Sequence, residues 1–235
     1  PYIIIFLYRW TRGTVGDFED MASMTALPVI GTVSEKSDSS EEAFRHIRTQ
    51  FLHLLKGDQK VALFTSYANE DAKTYTAISM AESLANTGLK VLVCDMNFRH
   101  PTVANYLSIA DGKGLCDILL DSDEITLSSL SGLMMPCPQK GFDILSVGHA
   151  HHVHPADLLG YKRLSSVINL LKKMYDVIVL DSASMATYSD TLEIAGLADI
   201  TCFVCRRGET PKTVVSKLAD GQLPSPCLIL NDVKS

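Results

Sequence analysis

Short, continuous apolar runs alternate with amphipathic segments along most of this chain. Because the runs are continuously apolar, rather than alternating with polar residues, they predict strands that are buried on both faces of a sheet. Strands of this kind usually pair in parallel and need helical crossovers. The runs lie at residues 61–65, 91–94, 142–147, 177–180, 200–205 and 227–230.

Segments between these runs carry apolar residues at helical spacing. The first follows Ser39 and Ser40, which can cap a helix, and it ends at Gly57. Its apolar positions are Phe44, Ile47, Phe51, Leu54 and Leu55. Further helices are predicted at residues 74–87, 156–173 and 211–218. The alternation predicts an α/β protein with a mostly parallel sheet and helices on both faces.

The pattern also divides the chain into three parts. Residues 1–12 are apolar and then basic, with a tryptophan between two arginines, and they predict the end of a transmembrane helix or a juxtamembrane segment. An N-terminal strand or helix that packs on the domain is the alternative. Residues 13–40, with a short apolar segment and a serine-rich stretch, predict a juxtamembrane linker. Residues 41–235 form the predicted domain.

Composition narrows the possible partners and the compartment. The net charge is -6, and no dense run of Lys and Arg is present, which argues against nucleic acid as the main partner. The six cysteines lie mostly in apolar runs, as reduced and buried thiols do. Cys202 and Cys205 form a CxxC pattern inside a predicted strand, where residues three apart face opposite sides. A zinc or redox site is therefore not expected there.

Candidate chemistry lies where the predicted strands end. Lys73 and Thr74 follow the first strand of the domain and begin a helix, the place where a phosphate loop binds its anion. Asp95 and Asp181 each end another strand, and ligands of open parallel sheets bind at this edge. A lysine, a hydroxyl and two carboxylates at one edge predict a site for phosphate and magnesium. An aspartate in such a place is also a common turn or cap.

The order of these elements resembles the bacterial tyrosine kinases that govern polysaccharide chain length, relatives of the MinD and ParA ATPases. In that family an aspartate-rich turn that ends in Arg-x-Pro is the Walker A′ motif, matched here by residues 91–101. Walker B is matched by the Tyr-Asp-x-x-x-x-Asp pattern of residues 175–181. The resemblance implies a P-loop NTPase-like fold that binds ATP or ADP with Mg²⁺.

The same resemblance implies roles for individual residues. Lys73 and Asp95 would be catalytic. The implied magnesium contacts are Thr74, Asp95 and Asp181. The implied nucleotide contacts are Asp71, Ala72, Lys73, Thr74, Tyr75 and Asn231.

A further motif separates these kinases from the related ATPases. The family carries Glu-x-x-Arg-x-x-Arg on the helix before the phosphate loop, matched here by Glu42, Arg45 and Arg48. At three-residue spacing the charged groups share one helix stripe, which can meet a neighbouring subunit. The resemblance implies a ring-like homo-oligomer. An ordinary solvated helix face with an internal ion pair is the alternative.

The phosphate loop departs from the family pattern. Tyr67 and Ala72 stand where a regular loop has glycine, and Glu70 adds a carboxylate. Glycine is favoured because the loop brings its backbone close to phosphate and uses positive φ. Asn97 replaces the second aspartate of the Walker A′ motif and brings no charge to a metal.

Three functions therefore remain open. The first is a tyrosine autokinase domain that regulates capsular or exopolysaccharide chain length and export at the cytoplasmic face of the bacterial inner membrane. The second is a catalytically degenerate scaffold of the same machinery, and the third is a MinD-like or ParA-like ATPase. The partners that the resemblance implies are further copies of the chain, a transmembrane polysaccharide co-polymerase in the same or a partner chain, and a tyrosine phosphatase.

Overall fold

The computed structural model describes residues 13–34, 37–69, 71–109, 112–149, 161–186 and 189–232. The predicted end of a transmembrane helix, residues 1–12, and Glu70 of the phosphate loop lie outside these ranges. Within the ranges, no helix combines the length and the apolar character that crossing a membrane requires.

A single mixed sheet of eight strands organises the described residues. Its order is β1-β8-β7-β2-β6-β3-β5-β4. Neighbouring strands are parallel, except that the short β4 pairs antiparallel with β5. The strands are β1 Val29–Val33, β2 Val61–Ser66, β3 Val91–Asp95, β4 Met135–Cys137, β5 Phe142–Leu145, β6 Val177–Asp181, β7 Ile200–Arg206 and β8 Pro226–Asn231. The predicted α/β class with a mostly parallel sheet is confirmed.

The three long helices follow the predicted periodicity: α2, α3, and α7 within the described part of its segment. The shorter α9, with six residues, lies within the segment predicted at residues 211–218. The other helices have only four to seven residues, too few to show a helical period in the sequence. The helices are α1 Phe18–Met24, α2 Ser37–Leu54, α3 Lys73–Ala85, α4 Val103–Tyr106, α5 Leu115–Leu120, α6 Leu127–Ser131, α7 Tyr161–Leu171, α8 Asp190–Ala195 and α9 Lys212–Lys217, with a 3₁₀ turn at Leu218–Asp220.

Apolar side chains cover both faces of the sheet. In β2, Leu63 belongs to one buried cluster and its neighbour Phe64 to the other, as the two-residue period of a strand requires. Helices α2 and α3 pack on the Phe64 face, and α7 packs on the opposite face. Cys202 and Cys205 likewise point to opposite faces as buried free thiols. The CxxC pattern is therefore part of the core.

Residues 13–34 are integrated into the domain, which differs from the linker predicted for residues 13–40. Strand β1 pairs in parallel with β8, and Met21 of α1 is fully buried. The amide of Val15 donates to the carbonyl of Thr210 at 2.8 Å. The short apolar segment was visible in the sequence, but its pairing strand lies near the other end of the chain. Local patterns do not reveal such a distant pairing.

We expect Gly31→Ala to destabilise the domain, because β1 depends on close contact with α2. A Cβ atom at Gly31 would lie 2.5 Å from Cγ1 of Ile47, a fully buried residue of α2. Overpacking of this kind costs about 1–3 kcal/mol. Urea unfolding of the variant measures the loss. Gly112→Ala is the control, since nothing lies within 4 Å of the added atom; equal stability of both variants with the wild type would contradict the tight packing of β1.

Candidate nucleotide and magnesium site

The loop between β2 and α3 has the backbone conformation of a phosphate loop at its critical position. Ala72 lies in the left-handed region, with φ 60° and ψ 32°, and α3 begins at the next residue, Lys73. Left-handed backbone costs a residue with a Cβ atom about 1–2 kcal/mol. The chain thus keeps the conformation that glycine normally supplies, although the glycine is missing.

Side chains beneath the loop hold it in this conformation. Asp71 is buried, and its carboxylate accepts a hydrogen bond from the amide of Ala68 at 2.7 Å. Asn231, at the end of β8, donates from its side-chain amide to the carbonyl of Asp71 at 3.2 Å. Burial raises the pKa of Asp71. In this structure Asp71 and Asn231 support the loop from below.

Thr74 and Asp181 meet at the end of β6. The Thr74 hydroxyl donates to Oδ2 of Asp181 at 2.7 Å. Oδ1 of Asp181 is buried and finds no hydrogen-bond partner among the described residues. Burial raises the pKa of Asp181 to about 6, although Lys73 and the hydroxyls of Thr74 and Thr102 act in the opposite direction.

Asp95 lies directly beside this pair, because β3 and β6 are neighbours and Asp95 is in register with Asp181. Its Oδ1 accepts from the amide of Asn97 at 3.0 Å. Its Oδ2 accepts from the amides of Thr102 and Val103 at 2.9 and 3.0 Å. Burial, together with the nearby charge of Asp181, raises the pKa of Asp95 to about 7.

An open pocket of about 630 Å³ lies beside these groups, at the carboxyl edge of the sheet. Four predicted nucleotide contacts line it together: Ala72, Lys73, Thr74 and Tyr75. Residues that the sequence did not single out complete the lining: Asn69, His100, Thr102, Asn105 and Tyr106, beside the Walker A′ residue Asn97. The predicted phosphate loop and the Walker A′ turn therefore form opposite walls of the same pocket.

The residues present fit a magnesium ion bound together with phosphate. Mg²⁺ in such sites takes one or two protein oxygens and fills its remaining positions with water and phosphate. The unpartnered Oδ1 of Asp181 supplies one anionic oxygen, and a nearby cation would favour the ionised form of both aspartates. No group of three or more His, Cys, Asp or Glu side chains that could hold a metal occurs among the described residues, so a cage made by protein alone is not expected there.

The predicted oligomerisation residues lie on α2, beside the pocket. Arg45 is exposed and forms ion pairs with Glu41 at 2.6 Å and Glu42 at 3.1 Å. Arg48 turns inward and donates to the carbonyl of Ser83 in α3 at 2.7 Å. The internal ion pair of the alternative interpretation is thus present, and Arg45 is the arginine of the motif that remains largely exposed.

Contacts between loops near the pocket were not predicted from the sequence. Arg99 makes a bidentate ion pair with Asp190 of α8, at 2.7 and 3.1 Å. Ser184, after β6, donates to the side chain of Asn69 in the phosphate loop at 2.7 Å. These polar residues follow predicted strands, which was the available signal, but their pairing depends on which strands are neighbours.

The mostly parallel sheet, the loop ahead of α3 and the carboxylates at the strand ends define a P-loop NTPase-like fold. No protein-family model matches the chain. A solved ParA-family ATPase from Chlorobium tepidum has a similar fold, with a TM-score of 0.59 and 20% identity over 74% of either chain. The predicted MinD/ParA-related fold is confirmed.

The similarity to tyrosine kinases is greater. The kinase domain of the Escherichia coli tyrosine kinase ETK matches with a TM-score of 0.81 and 17% identity, over 94% of this chain and 96% of that one. In sequence, the chain is 28% identical to the tyrosine-protein kinase YwqD of Bacillus subtilis over 190 residues. These residues make up 80% of this chain and 77% of that relative. It spans about a quarter of the length of other curated tyrosine kinases that it matches. The chain is thus similar to bacterial tyrosine kinase (BY-kinase) domains in sequence and in fold, and its Walker A loop is altered.

We expect Ala72→Gly to stabilise the domain by about 1 kcal/mol, because glycine relieves the left-handed strain and is preferred over alanine at the start of a helix. Thermal and urea unfolding measure the change. Ala68→Gly in the same loop is the control, since Ala68 does not have positive φ. A gain in stability at Ala68 but not at Ala72 would contradict the interpretation of the loop.

Proposed function

We propose that this chain binds ATP or ADP with Mg²⁺ and acts as a tyrosine-kinase domain in the control of capsular or exopolysaccharide chain length and export. The observation that carries the proposal is the pocket lined by the left-handed Ala72, Lys73 and Thr74, with Asp181 hydrogen-bonded to Thr74 behind it. Curated relatives are named for a capsule (cps) region and for succinoglycan biosynthesis transport. These names support the polysaccharide role.

Each residue of the pocket has a physical role in this proposal. The magnesium nucleotide supplies the transferable phosphoryl group and neutralises part of its charge. The amides at the start of α3 and the Lys73 ammonium attract the phosphates. Thr74 and Asp181 hold the metal side of the nucleotide. Asp95 is adjacent to Asp181 and, with a pKa near neutrality, can accept a proton from an incoming hydroxyl.

The working location and the partners follow from the same family relationship. We propose action at the cytoplasmic face of the bacterial inner membrane, beside a transmembrane polysaccharide co-polymerase in the same or a partner chain. Self-association into a ring through Glu42, Arg45 and Arg48 is part of the proposal, as is a tyrosine phosphatase that reverses the modification. The exposed position of Arg45 supports a contact with another subunit.

A scaffold without phosphotransfer is the second candidate. It is favoured by Ala72, which adds a Cβ atom where phosphate approaches, and by Asn97, which lacks a carboxylate. The oxygens of Asp95 already accept three backbone hydrogen bonds, so they are less available to a substrate. A ParA-like ATPase is a third and weaker candidate, because the Glu-x-x-Arg-x-x-Arg helix belongs to the kinase pattern.

Calorimetric titration of MgADP into the protein is the test of the proposed nucleotide site. We expect binding to the wild type and a loss of at least about tenfold in affinity for Lys73→Met, since the buried ammonium faces the phosphate pocket. Lys56→Met is the control, because this lysine is exposed after the end of α2. No binding at millimolar MgADP would leave the scaffold as the function to pursue.

Arg45→Ala is the cleaner probe of self-association. Its side chain is 54% exposed and pairs only with acidic residues of its own helix in the contacts observed, so its loss should change stability by less than about 0.5 kcal/mol. We expect multi-angle light scattering to show smaller assemblies for this variant than for the wild type. Arg207→Ala, at an exposed ion pair with Asp232, is the control; unchanged assemblies in Arg45→Ala would contradict the ring contact.

A further inference from the structure

Thr102 contacts two of the three residues that were predicted to bind magnesium, Thr74 and Asp95. Its hydroxyl oxygen lies 3.2 Å from that of Thr74, which donates to the carboxylate of Asp181 at 2.7 Å. Its backbone amide donates to Oδ2 of Asp95 at 2.9 Å. Thr102 also lines the pocket beside Ala72 and Lys73. No sequence motif pointed to this residue.

The Thr102 hydroxyl does not cap the helix that follows it. Thr102 is the N-cap residue of the short helix α4, a position where a threonine side chain usually accepts from the helix amides. Here its side chain makes no capping hydrogen bond. The backbone amides of Thr102 and Val103 bind Asp95 instead. The hydroxyl instead contacts that of Thr74, which binds Asp181.

Asp95 is a less suitable metal ligand than its position in the sequence suggests. Three backbone amides, those of Asn97, Thr102 and Val103, donate to its two oxygens. A metal would have to share these oxygens with the amides that hold the turn after β3. Asp181 is different, because its Oδ1 is buried and finds no partner among the described residues.

We propose that the Thr102 hydroxyl is a magnesium-binding oxygen of this site, together with Thr74 and Asp181, and that Asp95 positions Thr102 through its backbone amide. The inference rests on the proposed function, since the same pocket would hold the magnesium nucleotide. The two hydroxyl oxygens lie 3.2 Å apart, and that of Thr74 is hydrogen-bonded to the Asp181 carboxylate. Both oxygens would offer lone pairs to a cation held there. Neutral hydroxyl oxygens and one carboxylate suit Mg²⁺ that is shared with phosphate.

Binding of Mn²⁺ alone, followed by electron paramagnetic resonance, tests the proposal without requiring enzyme activity. The proteins are the wild type, Thr102→Val, Thr102→Ser and Thr76→Val. Valine keeps the shape of threonine and the backbone amide that binds Asp95, but it removes the hydroxyl. Serine keeps the hydroxyl. Thr76 is the matched control, because its hydroxyl bonds only to the nearby carbonyl of Ala72 in the contacts observed.

We expect Thr102→Val to weaken Mn²⁺ binding on the order of tenfold, and Thr102→Ser and Thr76→Val to bind like the wild type. Equal Mn²⁺ binding by the wild type and Thr102→Val overturns the proposal, and so does the absence of binding in both. Thermal unfolding of each variant shows that the fold is kept.

Titration of ADP without metal separates this inference from the proposed function. The wild type should bind metal-free ADP through the loop around Ala72 and Lys73, which holds the phosphates without the metal. If the wild type binds no ADP with or without metal, the nucleotide function fails, and the Mn²⁺ comparison still decides the role of Thr102. If ADP binds to both proteins and Mn²⁺ binding is equal, only the role of Thr102 fails.

Discussion

Two carboxylates buried side by side at the ends of β3 and β6 are the constraint on which the site depends. Asp95 and Asp181 are in register on neighbouring strands, and burial raises the pKa of both. The chain stabilises them by different means. Three backbone amides of the following turn surround Asp95, whereas hydroxyls and the Lys73 ammonium approach Asp181 and leave one of its oxygens unpartnered. The amides around Asp95 stabilise the turn after β3. The unpartnered oxygen of Asp181 is available to a cation.

The altered phosphate loop keeps its shape because contacts from several strands compensate for the missing glycine. Ala72 accepts the cost of left-handed backbone, which is small compared with the packing of the surrounding core. Asn231 from β8 binds the carbonyl of Asp71, and Ser184 after β6 binds Asn69. The loop is thus held from the ends of two strands, β8 and β6, that lie on either side of β2 in the sheet. Loss of a consensus glycine alone therefore does not decide whether a nucleotide can bind.

Helix α3 contacts both the candidate nucleotide pocket and the Glu-x-x-Arg-x-x-Arg motif on α2. It begins at Lys73 in the pocket, and its Ser83 carbonyl accepts the hydrogen bond from Arg48. A groove of about 780 Å³ between α2 and α3 shares Tyr75 and Tyr106 with the pocket. A partner that met the exposed Arg45 would therefore lie close to the pocket. This proximity gives a physical route by which association can affect the site.

The sequence by itself determined the fold class, the main strands and long helices, and the positions of Lys73, Thr74, Asp95 and Asp181, because hydrophobic periods and residues at strand ends are local features. It did not reveal that β1 belongs to the sheet, that Asn231 supports the loop, or that Thr102 contacts Thr74 and Asp95. Those facts depend on which strands are neighbours and on how the turn after β3 folds back. Only the tertiary structure decides them, because the contacting residues are distant in the chain and carry no shared period.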